Sequence, residues 1–228
     1  MTKDYVVATI RPWNLAAFAR HAPTLPGRWH LVHAPEELEG LLAGGLRPRY
    51  VFFPHWSWKV PERIFQTYEC VGFHMTDLPY GRGGSPLQNL IVRGCGTTRL
   101  TALRIEAGLD AGPIYAQCDL SLAGRAQEIY ERAAERVYEL IGLIVHTEPQ
   151  ARPQKGEVVV FTRRTPEEGR LPEADDLRAL YDHIRMLDAE GYPHAFLDHG
   201  PWRIEFVEAE VGGDVLHARV SITRRTQG

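Results

Sequence analysis

The sequence predicts an α/β fold with a mostly parallel, twisted sheet and helices on both faces, arranged in a Rossmann-like manner. Over the first half of the chain, short apolar runs alternate with segments of helical character. This alternation is typical of parallel sheets, whose consecutive strands are joined by crossover helices. Beyond Pro153 the pattern becomes strand-rich, which predicts a small β-rich C-terminal subdomain. We therefore expect a larger domain at residues 1–150 and a smaller one at residues 151–228.

The elements of the larger domain follow in order. Strands are expected at Tyr5–Ile10, Trp29–Val32, Tyr50–Phe53 and Val71–His74, and helices at Asn14–His21, Pro35–Leu42 and Pro61–Tyr68. Next come a glycine-rich loop at Gly81–Ser85, a helix at Pro86–Val92, and a strand pair at Arg99–Glu106 and Ile114–Leu120. Apolar residues at helical spacing then predict a helix at Gln127–Val145.

The smaller domain is expected to contain one helix and several strands. A strand is predicted at Val158–Thr162 and a helix at Asp175–Leu187. Alternating patterns predict antiparallel strands at Trp202–Glu208 and Val215–Ile222.

Composition narrows the functional classes. The chain has 228 residues, 44% of them hydrophobic and 24% charged, as in soluble globular proteins. Its net charge is −3 and it has no long basic run, so we expect no nucleic-acid partner. The three cysteines have no CxxC spacing, which argues against a zinc site or disulfide framework. No apolar run is long enough to span a membrane, and the start does not resemble a signal peptide, so we expect a cytoplasmic protein without a membrane partner.

Three segments carry residues suited to chemistry. His74 leaves a predicted strand just before the glycine-rich loop, where a tunable imidazole could meet a ligand. Asp110 lies between two glycines in a turn and could orient that imidazole, although such turns are often only structural. The aromatic segment at residues 53–58 could line a flat ligand slot or could simply pack beneath a loop.

The two polar segments resemble a known family. CVGFHMTDLPYGRGGSPLQ is similar to the motif of the 10-formyltetrahydrofolate-dependent formyltransferases, roughly Asn-x-His followed by Leu-Pro and Arg-Gly. RIEAGLDAGPIYAQ is similar to that family's second motif, Gly-x-Asp-x-Gly. The two motifs occur in the family's order, and the resemblance covers roughly residues 50–122.

This resemblance implies an enzyme that moves a formyl group from 10-formyltetrahydrofolate to an amine without a metal, with residues 1–150 as its catalytic domain. His74 and Asp110 would be catalytic. Gly72 occupies the position of the family's asparagine, which helps to stabilise the oxyanion. Losing one such donor costs about 2.7–4 kcal/mol in other acyl-transfer enzymes. The backbone loops around the following residues would hold the pterin: Phe53, His55, Trp56, Trp58, Leu109 and Gly112.

The acceptor predicted by the resemblance is a small amine. The tail resembles the C-terminal part of formyltransferases that act on nucleotide-linked amino sugars, whereas methionyl-tRNA formyltransferases carry a large basic C-terminal domain. Expected substrate-binding residues are Thr76, Asp77, Arg82, Gly83, Gly84, Arg163, Arg164, Arg185 and Tyr192. The three arginines at 163, 164 and 185 could pair with phosphate or carboxylate groups, or could simply form surface ion pairs.

Two other interpretations stay open. The acceptor could be another small amine, such as a glycinamide ribonucleotide, an amino acid or a hydroxylamine in a natural-product pathway. Alternatively, the vacancy at Gly72 is compatible with a catalytically weak module that binds folate or sugar. A homodimer is also left open.

Overall fold

The computed structural model describes residues 2–225, and the chain divides into two compact units. The first comprises Met1–Gly83, Thr98–Leu120 and Glu131–Val160. The second comprises Gly84–Thr97, Ser121–Tyr130 and Phe161–Gly228. The long helix at Ala126–Thr147 begins in the second unit and ends in the first, and the predicted boundary after residue 150 stays a prediction.

A six-stranded sheet forms the centre of the first unit. Its strands are β1 (Asp4–Ala8), β2 (Arg28–Val32), β3 (Tyr50–Phe53), β4 (Cys70–His74), β6 (Thr97–Arg104) and β7 (Ile114–Ser121), in the order β2-β1-β3-β4-β6-β7. β1 pairs in parallel with β2 and β3, and β3 pairs in parallel with β4. β6 runs antiparallel to β4. The predicted Rossmann-like, mostly parallel sheet is therefore confirmed.

Helices α1 (Pro12–His21), α2 (Pro35–Ala43) and α3 (Glu62–Thr67) follow the first three strands of this sheet. On one face of β1, Val6 and Ala8 belong to an apolar cluster that includes Leu38 and Leu42 of α2 and Ile64 of α3. The alternate residue Tyr5 instead stacks on Trp29 of β2, with ring centroids 4.7 Å apart. Both faces of the central strands are thus buried, as their continuous apolar runs predict.

One predicted element of the first unit is wrong. The loop predicted at Gly81–Ser85 is in part a strand: Tyr80–Gly83 form β5, which pairs with β8 (Val159–Phe161) in a separate two-stranded sheet. Gly81 and Gly83 have φ angles of 77° and 106°, which L-residues with a side chain rarely adopt. The glycines that suggested a loop therefore allow an irregular strand here.

The second unit contains α4 (Pro86–Val92), the start of α5 (Ala126–Thr147), α6 (Leu177–Arg185) and three antiparallel strands. These strands are β9 (Ala195–His199), β10 (Trp202–Gly212) and β11 (Val215–Arg224), in the order β11-β10-β9. The predicted C-terminal β-rich part is confirmed, with β9 as an additional strand. The sequence of β9, AFLDH, is too short to show a clear alternation, and it is held by pairing with β10.

Arg185, which was predicted to bind substrate, is buried and bonded to the protein itself. This side chain at the end of α6 is only 6% exposed. Its guanidinium donates to the backbone carbonyls of Leu122 and Gly124 at 2.6 and 2.8 Å and pairs with Asp182 at 2.5 Å. Arg185 therefore ties α6 to the segment that precedes α5.

Replacing Arg185 with Met should lower the free energy of unfolding by about 3 kcal/mol, because Asp182 and the carbonyls of Leu122 and Gly124 lose a charged donor. The matched control is Arg178→Met on the same helix, where the side chain is 68% exposed; its effect should stay below about 0.5 kcal/mol. Urea unfolding measures both variants. Equal stability of Arg185→Met and the wild type would contradict the structural role.

Candidate active site

His74 is the last residue of β4 and is 7% exposed. Its Nε2 lies 2.7 Å from the backbone carbonyl of Gly81, on β5. A carbonyl only accepts hydrogen bonds, so Nε2 must carry a proton and the orientation of the imidazole is fixed. The other ring nitrogen, Nδ1, is consequently the one available for proton transfer.

Asp110 faces that nitrogen. Its carboxylate oxygen Oδ2 lies 3.6 Å from His74 Nδ1 and accepts a hydrogen bond from the Gly83 amide at 2.9 Å. The Asp110 backbone has a φ of 49°, in the left-handed region that Asp tolerates better than most residues. The structure therefore brings together the imidazole and the carboxylate that the two motifs predict.

The loop that carries Asp110 folds back over the sheet. Because β6 is antiparallel to β4, its last residue Arg104 lies opposite Val71, at the far end of β4 from His74. Residues 105–113 must then return along β4 by about 10 Å to reach the imidazole. Gly112 allows this path, because a Cβ there would lie 1.9 Å from the carbonyl oxygen of Arg104.

Gly72 lies two residues before His74, so a side chain at either position would project from the same face of β4. A Cβ added to Gly72 would meet Cγ1 of Ile105 at 3.3 Å. The side chain of Ile105 thus borders the space that the family's asparagine would occupy. Gly72 itself supplies no side-chain donor to this face.

The predicted cofactor segment differs in exposure along its length. The Phe53 ring is buried in the apolar cluster, and Trp56 packs edge-on against it, whereas Trp58 is 44% exposed. His55 has a φ of 53°, and its ring lies 5.5 Å from that of Trp13. Loss of hydration lowers the pKa of His55 to about 4, with a further contribution from the charge of Arg11, so its imidazole is neutral at pH 7. On the Asp110 loop, Leu109 is 74% exposed.

Two of the four substrate-binding residues predicted in the first unit, Arg82 and Gly83, contact groups that hold Asp110 or Asp110 itself. Thr76, which was predicted to contact substrate, is completely buried, and its carbonyl accepts a hydrogen bond from the Thr101 hydroxyl. The Gly83 amide binds Asp110, and the Arg82 guanidinium binds the side-chain oxygen of Gln154. Asp77 is exposed and accepts a hydrogen bond from Gln117.

The predicted substrate residues of the second unit have different environments. A Cβ on Gly84 would lie 2.4 Å from Cβ of Arg163, so this glycine allows close packing. Arg163 is exposed, whereas Arg164 donates to the Glu168 carbonyl at 2.8 Å. Tyr192 stacks on Tyr130 with ring centroids 5.2 Å apart. Arg163 is thus the arginine of the predicted set that is most open to a ligand.

Sequence reasoning missed Gln154. Its side-chain amide donates to the backbone carbonyls of Asp110 and Gly112, both at 2.8 Å. Gln154 lies in an irregular segment without a motif, and its partners are more than forty positions away. No local pattern in the sequence could have identified it.

Among residues 2–225, no group of three or more His, Cys, Asp or Glu side chains is placed to hold a metal ion. Within the same residues, no helix is long and apolar enough to cross a membrane.

Comparisons with known sequences agree with the motifs. A family model described as "Methionyl-tRNA formyltransferase, C-terminal domain" matches residues 166–223. The methionyl-tRNA formyltransferase of Rickettsia bellii is 30% identical over 158 residues, which cover 66% of this chain and 51% of that protein. The chain spans about half the length of this and similar curated relatives.

Solved structures extend the comparison to the whole fold. The methionyl-tRNA formyltransferase from Clostridium thermocellum is 39% identical with a TM-score of 0.93, covering 98% of this chain and 100% of that chain. HypX from Aquifex aeolicus in complex with tetrahydrofolic acid shares the fold at 18% identity and a TM-score of 0.74, over 91% of this chain and 38% of that one. A sugar N-formyltransferase from a Shewanella species does so at 15% identity and a TM-score of 0.67, over 91% and 97%.

Proposed function

We propose, from the premise that this chain belongs to the folate-dependent formyltransferase family, that it transfers a formyl group from 10-formyltetrahydrofolate to an amine. The observation that carries the proposal is the pair formed by His74 and Asp110, with 3.6 Å between Nδ1 and Oδ2. An oriented imidazole beside a carboxylate can accept and return a proton during acyl transfer. The loop of Asp110 is open to a ligand at Leu109, whose side chain is 74% exposed.

The reaction requires the net transfer of one proton. The amine lone pair attacks the formyl carbon, and the carbonyl oxygen becomes an oxyanion. The bond between that carbon and N10 of the folate then breaks as the carbonyl re-forms. The amine loses one proton and N10 gains one, so a single group that takes and returns a proton completes the balance.

His74 is suited to this transfer because its two nitrogens have separate roles. Nε2 is held by the Gly81 carbonyl, which leaves Nδ1 to receive the proton of the amine and pass it to N10. The Asp110 carboxylate stabilises the imidazolium formed between the two steps. In the same position it can also orient the incoming amine. A protonated Nδ1 and nearby backbone N–H groups are the candidates to stabilise the oxyanion.

For the folate, we propose a site between the backbone of residues 53–58 and that of residues 109–112. Trp58 and Leu109 are exposed apolar side chains on these two segments, and ligand pockets are usually lined by such groups. The tetrahydrofolic acid bound by HypX supports the class of ligand. The neutral His55 keeps positive charge out of this loop at pH 7.

For the acceptor, we propose a small amine, and a nucleotide-linked amino sugar in particular. From position 161 onward the chain has nine arginines and no lysine against thirteen acidic residues. Such a segment lacks the positive footprint that binding to the backbone of a large nucleic acid requires. Single exposed arginines such as Arg163 are sufficient for a nucleotide phosphate.

A methionyl-tRNA acceptor is the second candidate. It is favoured by the match of residues 166–223 to a methionyl-tRNA formyltransferase domain and by the name of the Clostridium thermocellum relative. The two acceptors predict different salt responses. Activity on a tRNA should fall steeply between 50 and 200 mM salt, by about 10³ or more, because phosphate contacts release counterions. Activity on an amino sugar nucleotide should change much less.

Wild-type protein incubated with 10-formyltetrahydrofolate should release tetrahydrofolate only when an acceptor amine is added. The panel contains nucleotide-linked amino sugars, glycinamide ribonucleotide, free amino acids, hydroxylamines and methionyl-tRNA. His74→Gln and Asp110→Asn should each lower kcat by about 10³ or more while preserving the fold, since Asn suits the left-handed φ of residue 110.

The matched controls are His146→Gln and Asp119→Asn. His146 is exposed on α5, and the Asp119 side chain is 96% exposed. Both controls should keep wild-type rates. If His74→Gln or Asp110→Asn also kept the wild-type rate, the proposed mechanism would be wrong. Folate binding without turnover on any acceptor would favour a binding module.

The vacancy at Gly72 gives a further test. Gly72→Asn combined with Ile105→Ala should raise kcat about tenfold over Ile105→Ala alone, because the new amide would supply an oxyanion donor and the neighbouring side chain would be shortened. Steady-state kinetics with the best acceptor measures the effect. An unchanged or lower rate would show that other groups already hold the oxyanion.

A further inference from the structure

We propose that Gln154 is a positioning residue that holds the Asp110 loop against His74. The proposal rests on the formyl transfer proposed above, but its geometric part can be measured independently. Gln154 follows α5 in the chain and is half-buried. It lies outside both family motifs, and its side chain binds Arg82, Asp110 and Gly112 rather than His74.

The Gln154 side chain uses both of its N–H donors on the Asp110 loop. Nε2 donates to the carbonyl of Asp110 and to that of Gly112, each at 2.8 Å. These carbonyls flank Ala111 in the part of the loop that has folded back over the sheet. Because Asp110 has a left-handed backbone, alternative conformations are accessible to this turn, and two simultaneous hydrogen bonds restrict them.

Arg82 fixes the direction of the Gln154 amide. The Oε1 atom of Gln154 accepts hydrogen bonds from Nε and from a terminal nitrogen of Arg82, at 3.1 and 2.7 Å. A guanidinium only donates, so the amide oxygen must face Arg82 and the amide nitrogen must face the loop. The positive charge also polarises the amide, which strengthens its N–H donors.

The backbone around these residues is anchored at two points. Arg152 and Ile114 exchange two backbone hydrogen bonds, at 2.7 and 2.8 Å, which place Gln154 beside the end of the Asp110 loop. Arg82 belongs to β5, whose next residue, Gly83, donates its amide to the Asp110 carboxylate. Asp110 is therefore held twice from β5, directly at its carboxylate and through Gln154 at its carbonyl.

This arrangement predicts a specific loss when the amide is removed. Without Gln154 the carboxylate should sample positions farther from Nδ1, and a misplacement of about 1 Å can cost about 10²-fold in rate. The variants are Gln154→Ala, Gln154→Glu and Arg82→Met. Glu keeps an acceptor for Arg82 but presents no N–H to the two loop carbonyls. This variant therefore tests the hydrogen bonds to the loop separately from the contact with Arg82.

The matched control is Gln66→Ala, which removes the same side chain from an exposed helical position where its amide binds only Glu62. Two readouts are required. One is kcat and KM for formyl transfer with the best acceptor. The other is native-state hydrogen exchange of the amides of residues 109–112, with urea unfolding to check that the global stability is retained.

We expect Gln154→Ala and Gln154→Glu to lower kcat about 10- to 100-fold, to change KM less than about threefold and to speed exchange of those amides at least about tenfold. Arg82→Met should give a smaller effect of the same kind, and Gln66→Ala should match the wild type. If Gln154→Glu behaved like the wild type in both readouts, the proposal would be overturned.

A slower kcat without faster loop exchange would also overturn it, because Gln154 would then act by another route. The proposed function can fail separately. If the wild type formylates no acceptor, the proposed function fails, but the exchange measurement still decides whether Gln154 holds the loop. If the wild type turns over normally and Gln154→Ala leaves loop exchange unchanged, the function stands and the positioning role of Gln154 is wrong.

Discussion

The site depends on the position of the Asp110 carboxylate. It lies 3.6 Å from Nδ1 of His74 and accepts the Gly83 amide at 2.9 Å. These contacts join groups from three separate segments, β4, β5 and the loop after β6. Because β6 is antiparallel to β4, the loop starts near Val71, at the end of β4 away from His74, and must fold back to reach the imidazole. The left-handed turn at Asp110 and the close approach at Gly112 are consequences of that path.

The sheet topology explains why the imidazole is so well defined. His74 is the last residue of a buried strand that pairs in parallel with β3. After a short connection the chain forms β5, where the Gly81 carbonyl accepts a hydrogen bond from His74 Nε2. Nε2 is therefore unavailable for proton transfer, and Nδ1 faces Asp110. A group fixed in this way loses little conformational freedom when the reaction begins, which is the contribution a rigid scaffold can make to catalysis.

The sequence was sufficient to predict the parallel sheet, the long helix and the pairing of His74 with Asp110, because these depend on periodicity and on ordered motifs. It could not predict β5, whose glycines indicated a loop, since its pairing with β8 is a contact between distant segments. Nor could it predict that Arg185 is buried, which is what distinguishes a structural arginine from an exposed one. Gln154 had no local signal, because its role comes from carbonyls far away in sequence.

The central claim is that the His74–Asp110 pair acts on a formyl group carried by folate. The most direct measurement is a crystal structure of the protein with 5-formyltetrahydrofolate, a stable folate that resists transfer. The account predicts that the pterin lies along the backbone of residues 53–58 and 109–112, with N10 within about 4 Å of His74 Nδ1. A folate bound elsewhere, with no part of it near His74 and Asp110, would contradict the account.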